Sequence, residues 1–215
     1  MHIGPILKAR SIVKSFGRSR VLDGLDISLN PGTVTLLRGD NGSGKTTLLS
    51  ILSLTLAADS GLIEMPALKQ SRDEKYIRSN LGFVAHSSQL YGKLTVKENL
   101  QYFGELQGIQ FLSDVIDDSV KLMGIEDRLN VRVDTLSHGL RKRASIVRSI
   151  LHDPDVLLLD EPDSGLDSKS ISMLELLIED LTKVGKALLI TSHGNTLRFG
   201  KDPVFAFLHE GKLTK

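Results

Sequence analysis

Cysteine is absent from all 215 residues, which excludes a disulfide framework, thiol catalysis and cysteine-ligated zinc. That usage fits a reducing compartment. Long apolar runs are missing as well. No stretch reaches the roughly 18 residues of a membrane-crossing helix, so work at a membrane is expected to go through a partner. The opening residues, MHIGPILKARSIVKSFG, have neither a long apolar core nor a small-residue cleavage site, and no export signal is expected there. Neither sign of charge is in excess. A formal net charge of +1 gives the chain as a whole no pull toward nucleic acid or a membrane surface. Internal repeats, low-complexity tracts and Pro/Gly/Ser-rich linkers are also lacking. With 40% hydrophobic residues, the chain suits one domain or two closely joined subdomains.

What is present alternates in type. Leu25, Ile27 and Leu29 interleave with Asp26, Ser28 and Asn30, the period of a half-buried strand. Pro31-Gly32 makes a turn, 33–37 reads as the next strand, and this runs into a glycine-rich loop and an apolar helical stretch over 45–54. The middle is helical. Thr95 and Glu98 form a capping-box pattern that opens a helix through Val96, Leu100 and Phe103. Ile116, Val120 and Met123 mark a second helix, ended by Gly124. A third, over 140–151, puts Leu140, Ala144, Val147 and Leu151 on one face and stops at Asp153-Pro154. Then α/β alternation returns. The run 156–159 ends in Asp160-Glu161, and 187–190 ends in Thr191-Ser192-His193; both read as strands buried on two faces. Between them lies a helix striped by Ile171, Leu174, Ile178 and Leu181. This order predicts a largely parallel sheet, with ligands held at the carboxyl ends of its strands.

The loop Gly39-Asp40-Asn41-Gly42-Ser43-Gly44-Lys45-Thr46 matches G-x-x-x-x-G-K-[ST]. Its glycines permit positive φ angles and let backbone N–H groups converge on phosphate oxygens, while the following helix adds its positive end. Lys45 is expected to reach the β- and γ-phosphates and the Thr46 hydroxyl to bind magnesium, with Thr47 adjoining the nucleotide. Chance alone would produce the pattern in about one chain in a hundred of this length, and a strand before it and a helix after it lower that further.

Asp160 and Glu161 close a buried strand, so their carboxylates are carried on a rigid support. Beside a phosphate loop they read as a magnesium ligand, Asp160, and a general base for water, Glu161. By themselves they would be an ordinary strand terminus. His193 ends the next strand and is a candidate for contact with the γ-phosphate, an assignment that a lone histidine does not carry.

In order and spacing these pieces resemble the ABC ATPase family over nearly the whole chain. Leu136-Ser137-His138-Gly139-Leu140-Arg141-Lys142-Arg143 is similar to the family signature, LSGGQ followed by basic residues. Ser164-Gly165-Leu166-Asp167 is similar to the D-loop, His193 sits at the switch histidine, and Phe16 at the aromatic that stacks on adenine. The resemblance implies a P-loop NTPase fold of ABC type. That fold has a mixed or mainly parallel α/β core (about 1–71 and 153–215), an antiparallel N-terminal β part and a helical subdomain (about 72–152). It also implies two ATP molecules sandwiched between two such chains, like or unlike, each held by one chain's phosphate loop and the other's Ser137, His138 and Gly139. An integral membrane permease subunit would be driven from the cytoplasmic side of the cell membrane; no nucleic acid is involved.

The sequence departs from the family at two places. The signature has His138 for its first glycine and Leu140 for its glutamine. His86 stands where the Q-loop glutamine is expected, with Gln89 three residues on. A neutral imidazole at 86 can accept a water proton, whereas an imidazolium is repelled by magnesium. Gly82-Phe83-Val84-Ala85-His86 and Leu90-Tyr91-Gly92-Lys93-Leu94-Thr95 are similar to the haem-exporter ATPase of cytochrome c maturation. Arg141-Lys142-Arg143 reads as the polar face of the signature helix. Two other functions stay open: a soluble ABC ATPase outside transport, which lacks its usual coiled-coil inserts or basic extensions here, and an ATP-binding regulatory module, against which Glu161 argues.

Overall fold

The computed structural model describes residues 4–66, 72–192 and 197–214. Strand β1 (Leu7–Phe16) pairs antiparallel with β2 (Ser19–Leu29) and with β4 (Ser60–Glu64), giving a three-stranded sheet in the order β2-β1-β4. A second sheet of six strands runs β5-β6-β7-β3-β8-β9. In it β5 (Leu81–Val84), β6 (Val156–Asp160), β7 (Ala187–Thr191), β3 (Val34–Arg38) and β8 (Val204–His209) are parallel, and only β9 (Lys212–Thr214) reverses. The expected parallel core with an antiparallel N-terminal part is therefore present.

Strands β6 and β7 are buried at every position, because both sheet faces are covered. Val156 and Leu158 pack with β1, β2 and helix α1 (Lys45–Leu52), while Leu157 and Leu159 pack with the helical layer on the other side. That layer contains α3 (Val96–Leu106), α4 (Leu112–Leu122), α5 (His138–Ile150) and α6 (Ser168–Lys183). The short α2 (Glu74–Arg78) leads into β5. Among the described residues no helix is long and apolar enough to cross a membrane.

Local signals set most element ends. The Thr95 hydroxyl accepts from Glu98 N at 3.1 Å, and the Glu98 carboxylate accepts from Thr95 N at 2.7 Å, a complete capping box at the start of α3. Gly124, at φ 58, follows the end of α4. Helix α1 stops two residues earlier than the apolar pattern predicts, and Leu54 turns out of it with φ 59. Helix α5 begins two residues earlier than expected, since the Ser137 hydroxyl accepts from Leu140 N at 3.3 Å and caps it.

Candidate functional site

The phosphate loop joins β3 to α1 at the carboxyl edge of the parallel strands. Gly42 (φ 81) and Gly44 (φ 104, capping α1) adopt the left-handed conformations that the loop requires. The Lys45 ammonium is folded over the loop and donates to the carbonyls of Gly39 (2.7 Å) and Asp40 (2.9 Å). The Ser43 hydroxyl is buried with no hydrogen-bond partner, the condition of a donor whose acceptor belongs to a ligand. A cleft of about 280 Å³ gathers Phe16, Asn41, Gly42, Gly44, Lys45, Thr46, Thr47 and Glu161. Phe16 lines this cleft and is half exposed.

The end of β6 delivers the acidic pair, and the end of the adjacent β7 holds it. Asp160 is fully buried; its Oδ2 accepts from the Thr46 hydroxyl at 2.8 Å and its Oδ1 from the Thr191 hydroxyl at 2.7 Å. The same Thr191 hydroxyl accepts from Glu161 N at 2.9 Å. Thr191 thus holds both members of the pair from the end of β7, a role that strand periodicity does not reveal. A hydroxyl and a carboxylate in contact are hard oxygen donors that suit magnesium, which takes one or two carboxylates and completes its shell with phosphate and water. Glu161 has φ 48, an unusual conformation for a residue with a side chain, and one that recurs where a group is held for chemistry.

His86 and Gln89 part company. His86 Nδ1 lies 3.5 Å from Glu161 Oε2. Gln89 turns the other way and accepts from the Arg148 guanidinium at 3.3 Å. His193 lies outside the described residues; Ser192 just before it donates to Asp163 at 3.0 Å.

The signature segment sits at the capped end of α5. Ser137 is the cap, and Gly139 falls inside the first turn rather than before the helix as expected. A side chain at Gly139 would meet the Gly165 carbonyl at 2.6 Å, so the signature and the D-loop are in close contact within one chain. Asp167 caps α6 by accepting from Ser170 N at 2.8 Å, and hydrogen bonding from the Ser170 hydroxyl first and this backbone N–H second holds its carboxyl below the usual aspartate range. The basic run is not a solvated face. Lys142 is 3% exposed, and Arg143 donates to the Met123 and Gly124 carbonyls, both at 3.2 Å, satisfying the end of α4.

A phosphate loop and an acidic pair, side by side at the carboxyl edge of a parallel sheet, define a P-loop nucleotide-hydrolysing domain. The ABC transporter family pattern matches residues 22–164. The ATP-binding protein NatA of Bacillus subtilis (strain 168) is 34% identical over 79% of this chain and 70% of its own length. The Nod factor export ATP-binding protein I of Paraburkholderia xenovorans (strain LB400) is 33% identical over 85% of this chain and 60% of its own. A dimeric bacterial ABC transporter cassette has the same fold, with a TM-score of 0.85 at 23% identity over 97% of each chain. The chain belongs to the ABC transporter family and is one of its ATP-binding cassette ATPases. It spans about 60 to 70% of the length of those two relatives, and neither of their names concerns haem.

Proposed function

We propose that this cassette hydrolyses magnesium-ATP in a head-to-tail pair with a second cassette chain and so drives an integral membrane permease from the cytoplasmic side of the membrane. The observation that carries the reading is the cleft in which the phosphate loop, Phe16 and Glu161 lie together above Asp160. In it, Gly39 to Thr47 bind the phosphates and Phe16 stacks on adenine. Magnesium, when bound, neutralises phosphate charge; Thr46 and Asp160 are the residues that would hold it. Glu161 accepts the proton of the attacking water, His86 orients Glu161, and His193 meets the γ-phosphate. Ser137, His138 and Gly139 offer a capped helix end to the partner's nucleotide, where hydroxyl, amides and dipole all favour an anion. Asp167 lies on the loop between the two sites. Residues 72–152 carry the signature and are read as the part that meets the permease. The relative named for Nod factor export supports an exporter.

Glu161→Gln tests the reading. The amide cannot take the proton, so turnover should fall by about 10²- to 10⁴-fold while ATP binding persists. ATP should then hold the variant as a dimer in size-exclusion chromatography. Hydrolysis at the parent rate would remove Glu161 from the role of base.

A further inference from the structure

Three side chains along one face of α5 hold the end of β5 and the segment that follows it. Lys142 Nζ lies 3.5 Å from the carbonyls of both Ala85 and His86. The Ser145 hydroxyl donates to the Ser88 carbonyl at 2.9 Å, and the Arg148 guanidinium to that of Phe83 at 2.7 Å. The spacing of three residues puts these donors on one side of the helix. The segment they hold carries His86, whose ring reaches Glu161.

Lys142 is the unusual member. Its ammonium is buried, yet its hydrogen bonds are two carbonyls at the limit of the distance range. Burial pulls its pKa below the ordinary lysine value, while the charges of Asp160, Glu161 and Asp163 pull it back up. Removing a cation from water for two long contacts is not a stabilising arrangement, and an apolar side chain of similar length would pack there at less cost. A cavity of about 230 Å³, lined by His86, Ser87, Ser88, His138, Arg141 and Lys142, adjoins this loop.

We propose that Lys142 is a positioning residue for hydrolysis: it holds the loop bearing His86 against the signature helix and, through His86, sets the orientation of Glu161. The proposal rests on the reading of Glu161 as the base. It joins the capped end of α5, which faces a partner's nucleotide in that reading, to the same chain's own base.

Lys142→Met separates this from a structural role. The expected result is a kcat about tenfold lower with an unchanged KM for ATP, and a melting temperature equal to or above the parent's. In a His86→Ala background the same substitution should cost less than twofold, because the route to Glu161 is already cut. Parent kcat in Lys142→Met, a full additional tenfold loss in the double variant, or a kcat loss accompanied by a lower melting temperature would each overturn it. Glu161→Gln, measured alongside, distinguishes the failures. If it is inactive while Lys142→Met is fully active, only the role of Lys142 falls; if it is active, the base assignment falls and the role of Lys142 with it.

Discussion

Replacing Thr191 by valine removes one hydroxyl and keeps the shape of a fully buried side chain. That hydroxyl makes two hydrogen bonds, donating to Asp160 Oδ1 at 2.7 Å and accepting from Glu161 N at 2.9 Å. Hydrogen bonds to charged groups contribute about 1.5 to 3 kcal/mol each, and the carboxylate would lose a donor where no water reaches it. The second bond matters less, because Glu161 N also donates to the Thr191 carbonyl at 3.2 Å and stays partnered. The sum is roughly 2 to 3 kcal/mol. For a chain of this size each kcal/mol moves the melting point by about 2 to 4 °C, so Thr191→Val should melt roughly 4 to 12 °C lower. Thr191→Ser is the control. It keeps the hydroxyl and loses one methyl, about 1 kcal/mol, so it should melt above the valine variant. Differential scanning calorimetry of the ligand-free proteins decides, with ATPase assays expected to rank them in the same order. A valine variant melting within about 2 °C of the parent, or below which the serine variant falls, would refute the reasoning.

Lys45→Ala should weaken ATP binding by about a hundredfold or more, since the phosphates lose charge-assisted hydrogen bonds; calorimetric titration giving an unchanged affinity would remove Lys45 from the phosphate site. His152 donates from Nε2 to the Leu81 carbonyl at 3.0 Å, and burial first, then the nearby Arg148 and Lys186 charges, hold its pKa below the ordinary histidine value. The unfolded chain therefore takes up this proton first. The stability is fully present above about pH 6.5 and is lost as pH falls toward the lower folded pKa. His152→Gln should accordingly show a smaller fall in melting temperature between pH 7.5 and 5 than the parent; parallel curves would show that His152 does not contribute.

Much of the molecule is legible in short stretches of sequence, because the physics behind those features is itself local. The capping box at Thr95 and Glu98, the glycines that turn the phosphate loop and the apolar run of β6 each depend on neighbours a few residues away. Those signals located the loop and the strand whose end carries Asp160 and Glu161, and their order carried the family resemblance. Other features depend on what the fold brings together. Arg141-Lys142-Arg143 has the composition of a solvated helix face, yet Lys142 is buried against carbonyls 56 and 57 residues away. No periodicity separates His86 from Gln89; the path of the loop after β5 sends one toward Glu161 and the other toward Arg148. Thr191 looks like the last residue of a strand until β7 pairs beside β6 and sets its hydroxyl between Asp160 and the Glu161 amide. Sequence determined which groups can bind phosphate and move a proton. Tertiary packing alone decided which of them meet, because burial and hydrogen-bond partnership belong to contacts that the linear order does not contain.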